Sequence, residues 1–215
     1  MTATPEGGMA LRWEWRVFGS RLGPADQVLS AMTPLGEPQE SDEIYILGDQ
    51  SANLKIRFDL LDIKKLIEVD DAGLQLWAPV SKAEFPVTTD HARSIFAAMG
   101  ASPPETSRDT HTLQEFLEEL VAPHPDLEIV NVHKRRVRYA FDGCMAELTS
   151  MSANGQATET IAAESEDPAA VAGAIETLGM GNHVNTSYSR ALRCLLGLAP
   201  ARYAVTDIGT NSVKF

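Results

Sequence analysis

Cysteine is scarce in this chain. Cys144 and Cys194 are the only two among 215 residues, and their spacing suits neither a disulfide framework nor a cysteine metal site. Histidine is thin as well: His111, His124 and His133 lack the close spacing of paired zinc ligands. No stretch approaches the ~20 apolar residues of a spanning helix. Met1 to Gly8 lacks the basic flank and apolar core of a secretory signal. Internal repeats and low-complexity tracts are missing. Basic residues are in the minority, 18 against 30 acidic, for a net charge of −12. A surface that negative repels nucleic-acid duplexes and anionic membranes, whose binding rests on phosphate neutralisation. These absences leave a soluble protein, expected in the cytoplasm.

Nucleophile and dinucleotide signatures are missing too. Neither Cys nor Ser stands in a recognisable nucleophile context, and Cys144, set between strand residues, reads as core. Trp13 and Trp77 read as packing residues. Gly179-Met180-Gly181-Asn182 reads as a helix stop, because no strand leads into it.

What is present is ordinary globular material, 44% hydrophobic and 22% charged with 15 Gly and 12 Pro. Its cations are concentrated. Residues 54–65 carry Lys55, Arg57, Lys64 and Lys65 against Asp59 and Asp62, a local +2; residues 132–139 carry Lys134, Arg135, Arg136 and Arg138 with no acid, a local +4. The remainder of the chain therefore holds −18.

Hydrophobic periodicity predicts strands over 11–18, 43–47, 53–58, 60–69, 73–80, 127–141, 144–152 and 156–165, with a loop over 33–42. Asp142-Gly143 and Asn154-Gly155 are hairpin signals. Helices are predicted from Pro24 to Met32 and after a Thr89-Asp90 cap, where Ala92, Ile95, Phe96 and Met99 share a face. A Thr112–Glu115 capping box opens another, burying Leu113, Phe116, Leu117, Leu120 and Val121. Asp167-Pro168 starts a helix that stops at Gly179, and a last one runs from Ser187 to Leu196. The sum is α+β, about eight antiparallel strands with helices outside.

The strand faces separate charge from hydrocarbon. Leu11, Trp13, Trp15 and Val17 fall on one face and Arg12, Glu14 and Arg16 on the other; Lys55 and Arg57 oppose Leu54, Ile56 and Phe58. Lys134, Arg136 and Arg138 share a face, with Arg135 the exception on the other. Two arrangements produce this alternation. An open sheet can leave its charged face in water. Alternatively, helices cover the apolar faces and the charges line the inside of a tunnel-like barrel or strongly curled sheet, wide enough for side chains or one small ligand. Enclosed like charges ~5 Å apart cost about 3 kcal/mol at an effective dielectric near 20. Such an interior needs anions, either interleaved carboxylates or a polyanionic ligand, and Arg suits bidentate phosphate contacts.

The order of these motifs resembles the CYTH, or triphosphate tunnel, family over residues 10–197. Arg12-Trp13-Glu14-Trp15-Arg16 is similar to its opening Glu-x-Glu-x-Lys strand and Lys55-Ile56-Arg57 to its next basic pair. Asp62-Ile63-Lys64 and Lys134-Arg135-Arg136-Val137-Arg138-Tyr139 are similar to its later basic strands. Gly143 to Leu148, with Glu147, resembles a strand bearing one acid, and Ile161 to Glu166 its late Glu-x-Glu strand. Asn185-Thr186-Ser187-Tyr188 resembles the closing segment. The resemblance implies an eight-stranded antiparallel tunnel in which bases bind phosphates and acids hold a divalent metal, as in triphosphatases and a class of adenylate cyclases. Carried onto this chain, it implies phosphate binding by Arg12, Arg16, Lys55, Arg57, Lys64, Lys134, Arg136 and Arg138. Glu14, Glu147, Glu164 and Glu166 are the corresponding candidates for Mg²⁺ or Mn²⁺. The chain departs from the pattern where Arg12 and Arg16 replace the first Glu and the Lys, and where Thr149 takes a common acid position. These departures leave anion binding without metal equally open.

Arg202 to Phe215, with Asp207-Ile208-Gly209-Thr210-Asn211-Ser212, resembles the opening strand and turn of the exopolyphosphatase and guanosine pentaphosphate phosphohydrolase family. It implies that residues 198–215 are a linker plus the opening strand and turn of a truncated exopolyphosphatase-like domain, either a piece of a fusion with a covalent C-terminal phosphatase domain or a remnant of one. Three functions are expected to compete: a module binding inorganic polyphosphate or a triphosphate-like anion beside that phosphatase, a metal-dependent triphosphatase, and a scaffold that has lost its ligand.

Overall fold

The computed structural model describes residues 10–20, 22–141 and 143–198. Ten strands are formed: β1 (Arg12–Gly19), β2 (Gln39–Leu47), β3 (Ala52–Arg57), β4 (Leu60–Val69), β5 (Gln75–Glu84), β6 (Val87–Thr88), β7 (Thr110–His111), β8 (Glu128–Phe141), β9 (Cys144–Ala153) and β10 (Gln156–Ser165). Eight of them close an antiparallel barrel in the order β1-β10-β9-β8-β2-β3-β4-β5, and β5 returns to β1 through Arg12↔Trp77, Trp13↔Leu76 and Glu14↔Gln75. The short β6 and β7 pair by themselves. Closure decides between the two arrangements that the alternation allowed. The charged faces are inside.

Helices cover the outer apolar faces in two blocks. Trp15 and Val17 of β1, with Ile161 and Ala163 of β10, pack under α1 (Ala25–Ser30) and α4 (Pro168–Thr177) through Leu29, Val171 and Ala174. Ile46, Leu54, Ile56, Leu61 and Ile63 of β2 to β4 pack under α2 (Thr89–Ala98) and the segment that follows α3 (Leu113–Glu115). Burial of such side chains contributes ~1.5–3 kcal/mol each, which makes these faces the main source of stability. The outer face of β8 escapes cover near Arg135. There Arg135 and His133 meet water, Glu40 and Asp42, so the exception in the alternation is a solvated ion-pair strip.

Several boundaries differ from the sequence reading. β2 begins at Gln39, inside the expected loop, because β8 is long enough to pair with it as far as Gln39↔Arg136. The α2 cap is Thr88, whose hydroxyl accepts from the His91 N–H. The Thr112–Glu115 capping box forms as expected, but the helix becomes a π-helix over Phe116–Val121; Phe116, Leu120 and Val121 still reach the core. β5 extends to Glu84, and the β4–β5 ladder shifts register between Ile63/Lys64 and Leu66/Glu68. Ile67 and Val80 are the unpaired bulge residues there, and both are exposed. Asn154 and Gly155 both take positive φ, the geometry of the expected two-residue turn. Asp142 and the whole of Arg202–Phe215 lie outside the described residues.

Candidate functional site

The barrel interior holds a cavity of about 370 Å³. All eight cations singled out in the sequence line it: Arg12 and Arg16 from β1, Lys55 and Arg57 from β3, Lys64 from β4, and Lys134, Arg136 and Arg138 from β8. Lys82 of β5 is a ninth, missed because the strand was read as ending near residue 80. The lining carboxylates are Glu14, Asp62, Glu147 and Glu164. Nine cations therefore face five acids once Glu43, buried beneath the lining against Lys134 and Arg57, is counted, so the cavity is cationic inside a chain of net charge −12. Trp77 and Pro79 complete the β5 wall, which makes Trp77 a lining residue as well as a packing one. Glu166 stands apart from the other three glutamates. It is exposed, one residue beyond the end of β10, next to the Asp167 cap of α4.

Register brings the acids together. Glu14 lies directly opposite Glu164, and Ala162 stands opposite both Arg16 and Glu147. Like charges placed opposite destabilise a sheet, and here arginines intervene. Arg16 Nε donates to Glu14 Oε1 at 2.7 Å, and its Nη1 lies 2.9 Å from Glu147 Oε1. Arg12 Nη1 donates to Glu164 at 3.3 Å, and Arg136 approaches Glu147 at 3.8 Å. Burial opposes the Arg16 charge, but Glu14, Tyr188 and Glu147 outweigh it and hold the guanidinium pKa well above its ordinary value. Burial likewise pushes Glu147 up, while Arg16, Arg136 and Lys134 more than reverse that and leave it lowered.

The deepest layer joins Glu43, Tyr45, Lys134 and Tyr188. Lys134 Nζ donates to Tyr45 Oη at 2.5 Å, pairs with Glu43 Oε2 at 2.9 Å and lies 3.7 Å from the centre of the Tyr188 ring. Burial draws the Lys134 pKa down to about 7, helped by Lys55 and Arg16 and resisted by Glu43. Burial alone would raise Glu43, yet Lys134, Lys55 and the Tyr45 hydroxyl carry it down to about 2. The pair is thus an ionised carboxylate beside an amine poised to gain or lose a proton near neutrality.

Other cations in the wall lack a counter-charge. Among the described residues, Lys64, Lys82 and Arg138 have no carboxylate within ion-pair distance. The buried Nε groups of Arg136 and Arg138 have no hydrogen-bond partner. Burial, Arg136 and Arg57 lower the Arg138 pKa more than Glu147 and Glu164 raise it, so desolvation and repulsion are only partly compensated. β8 and β5 stand four places apart around an eight-strand ring, so Arg136 and Arg138 face Lys82 from opposite walls.

Each of Glu14, Glu147 and Glu164 is already engaged by an arginine. Among the described residues, no group of three His, Cys, Asp or Glu side chains converges to hold a metal.

No protein-family profile matches the sequence, and no curated protein matches it. Solved structures do show likeness. A putative adenylyl cyclase from Hippeastrum with a dominant triphosphatase activity is 15% identical, covering 89% of this chain and 98% of its own, with a TM-score of 0.49. A putative adenylate cyclase from Bacillus halodurans is 14% identical over 83% and 96%, with a TM-score of 0.46. A conserved hypothetical protein from Pyrococcus furiosus is 15% identical over 82% and 98%, at 0.44. At these values the likeness does not bear on function. Among the described residues no helix is long and apolar enough to cross a membrane.

Proposed function

We propose that the barrel binds a linear phosphoanhydride anion, inorganic polyphosphate or a triphosphate-like chain, through its cations and without a metal ion held by the protein. The observation that carries this reading is the excess of nine cations over five acids in and directly beneath one cavity, with Lys64, Lys82 and Arg138 outside ion-pair distance of any carboxylate among the described residues. A phosphate chain supplies both the missing charge and the missing acceptors for the Arg136 and Arg138 Nε–H groups. The acids position the cations: Glu14 and Glu147 hold Arg16, Glu164 holds Arg12, Asp62 approaches Lys55 at 3.5 Å, and Glu43 fixes Lys134. The resemblance of Arg202–Phe215 to the start of an exopolyphosphatase supports an accessory role beside such a phosphatase. Metal-dependent triphosphate hydrolysis is disfavoured, because Glu14, Glu147 and Glu164 would first have to exchange Arg16 and Arg12 for a cation.

Thermal unfolding and phosphate release together test the reading. Tripolyphosphate at a hundred times its Kd should raise the midpoint by about 5–10 °C, with no phosphate released in Mg²⁺ or Mn²⁺. Metal-dependent release that disappears in Glu14→Gln would replace binding with catalysis. An unmoved midpoint would leave only a scaffold.

A further inference from the structure

Two blocks of helix cover the barrel, and between them one stretch of wall has no helix over it among the described residues. On β5, Trp77 and Pro79 line the cavity, so Leu76 and Ala78 point outward. Leu76 lies opposite Trp13 on one side and Glu68 on the other, and Ala78 lies opposite Lys65. Cross-strand partners share a face, which puts Lys65 and Glu68 on the outside as well. Ile67 stands between those two and Val80 beyond Ala78, each at a bulge. Leu11 precedes the inward Arg12 and so turns outward beside Ala78. Leu11, Ile67 and Val80 are each about half exposed, and Ile67, Leu76, Ala78 and Val80 join none of the buried clusters. Bulges re-aim side chains. Here two of them, one on each strand of the ladder, turn β-branched hydrocarbon toward water.

The charges on this face decide what can cover it. Among the described residues, neither Lys65 nor Glu68 has an opposite charge within ion-pair distance. The chain as a whole carries −12, yet this face holds one free cation and one free anion around hydrocarbon. A second copy approaching it meets no excess of like charge. We propose that the face pairs with the same face of a second copy about a two-fold axis, with Ile67 and Val80 packed across the axis and Lys65 of each chain set against Glu68 of the other. A two-fold contact brings one patch to itself, so each pairing is made twice, and a self-complementary patch needs both signs of charge. Three strands ~4.8 Å apart over about six residues give a footprint on the order of 14 by 20 Å, with the sheets stacked ~10 Å apart. That lies at the low end of specific interfaces and suits a reversible dimer, not an obligate one. Because the face is on the outside of the wall, the pairing is independent of what the cavity binds.

Sedimentation equilibrium over about 10 to 500 µM tests this, on the wild type and on three variants. The wild type should form dimers with a Kd on the order of 10–100 µM. Val80→Arg should weaken association by about tenfold or more. Lys65→Glu and Glu68→Lys should each do the same, because each sets like charges against one another across the axis. An equimolar mixture of those two charge variants should recover association as a mixed dimer, since each chain then offers the charge that the other lacks. Recovery on mixing also shows that both variants are folded. A wild type that stays monomeric to about 500 µM, a Val80→Arg chain that associates as tightly as the wild type, or a mixture no more associated than its components would overturn the two-fold pairing.

Discussion

Replacing Glu43 with Gln should cost more stability in mild acid than in mild base, and the structure sets the difference. The carboxylate is 2.9 Å from Lys134 Nζ with only 1% of its side chain exposed. At pH 5.5 the wild-type amine, with its pKa near 7, is protonated and pairs with Glu43. At pH 9 it is neutral, and the pair is already dissolved. In Glu43→Gln the amine loses its largest favourable partner, so burial keeps it neutral at both pH values. The variant therefore forgoes the protonation free energy that the wild type gains between pH 7 and 5.5, about 2 kcal/mol for a unit and a half of pH. Unfolded Lys134 is protonated at both pH values and cancels between the two proteins. Urea unfolding of both at pH 5.5 and 9, with m-values held equal, measures the difference. A loss in Glu43→Gln of the same size at both pH values would refute the assignment of Glu43 and Lys134 as a titrating buried pair.

Other consequences concern charge at single positions. Glu43 sits near 2 instead of its ordinary 4.5, so its stabilisation is complete between pH 4.5 and the Lys134 titration near 7, and is lost as pH falls from 4.5 toward 2. Acid unfolding should accordingly show up to about 3 kcal/mol of wild-type loss in that window that is absent from Glu43→Gln. Arg16→Leu leaves Glu14 and Glu147 without the guanidinium between them and should cost about 3–5 kcal/mol in chemical denaturation; a loss under 1 kcal/mol would show the acids are independent. Arg138→Ala removes an unpaired cation and should leave the thermal midpoint unchanged or higher, while weakening tripolyphosphate by roughly tenfold or more. Binding of tripolyphosphate near pH 7.5 should take up a proton at Lys134, seen as a calorimetric enthalpy that changes with buffer; Lys134→Met should abolish that dependence.

The lining was legible wherever alternation ran unbroken. Arg12, Glu14 and Arg16, the Lys55–Arg57 pair and the Lys134, Arg136 and Arg138 series each repeat every second residue, and strand geometry alone puts each set on one face. Lys82 was hidden by the bulge at Val80, which resets the alternation so that Trp77, Pro79 and Lys82 face inward together. Glu43 was masked by its neighbours. The predicted strand 43–47 contained it, and its alternation with Tyr45 and Leu47 was the available signal, but it stands beside the acidic residues Glu37, Glu40 and Asp42. Glu166 had the right spacing from Glu164, but the strand ends at Ser165, and local spacing does not report where a strand stops. The deepest layer was the least legible part. Leu192 and Tyr188 show an apolar helical face, yet only closure of the barrel brings Tyr188 to Lys134.

Metal-free anion binding is tested by calorimetric titration of tripolyphosphate in excess chelator at pH 7, run on the wild type and on an Arg136→Ala/Arg138→Ala double variant. One-to-one binding should survive the chelator and weaken by about a hundredfold or more when both arginines are gone. Binding that requires added Mg²⁺, or that the double variant retains unchanged, would contradict it.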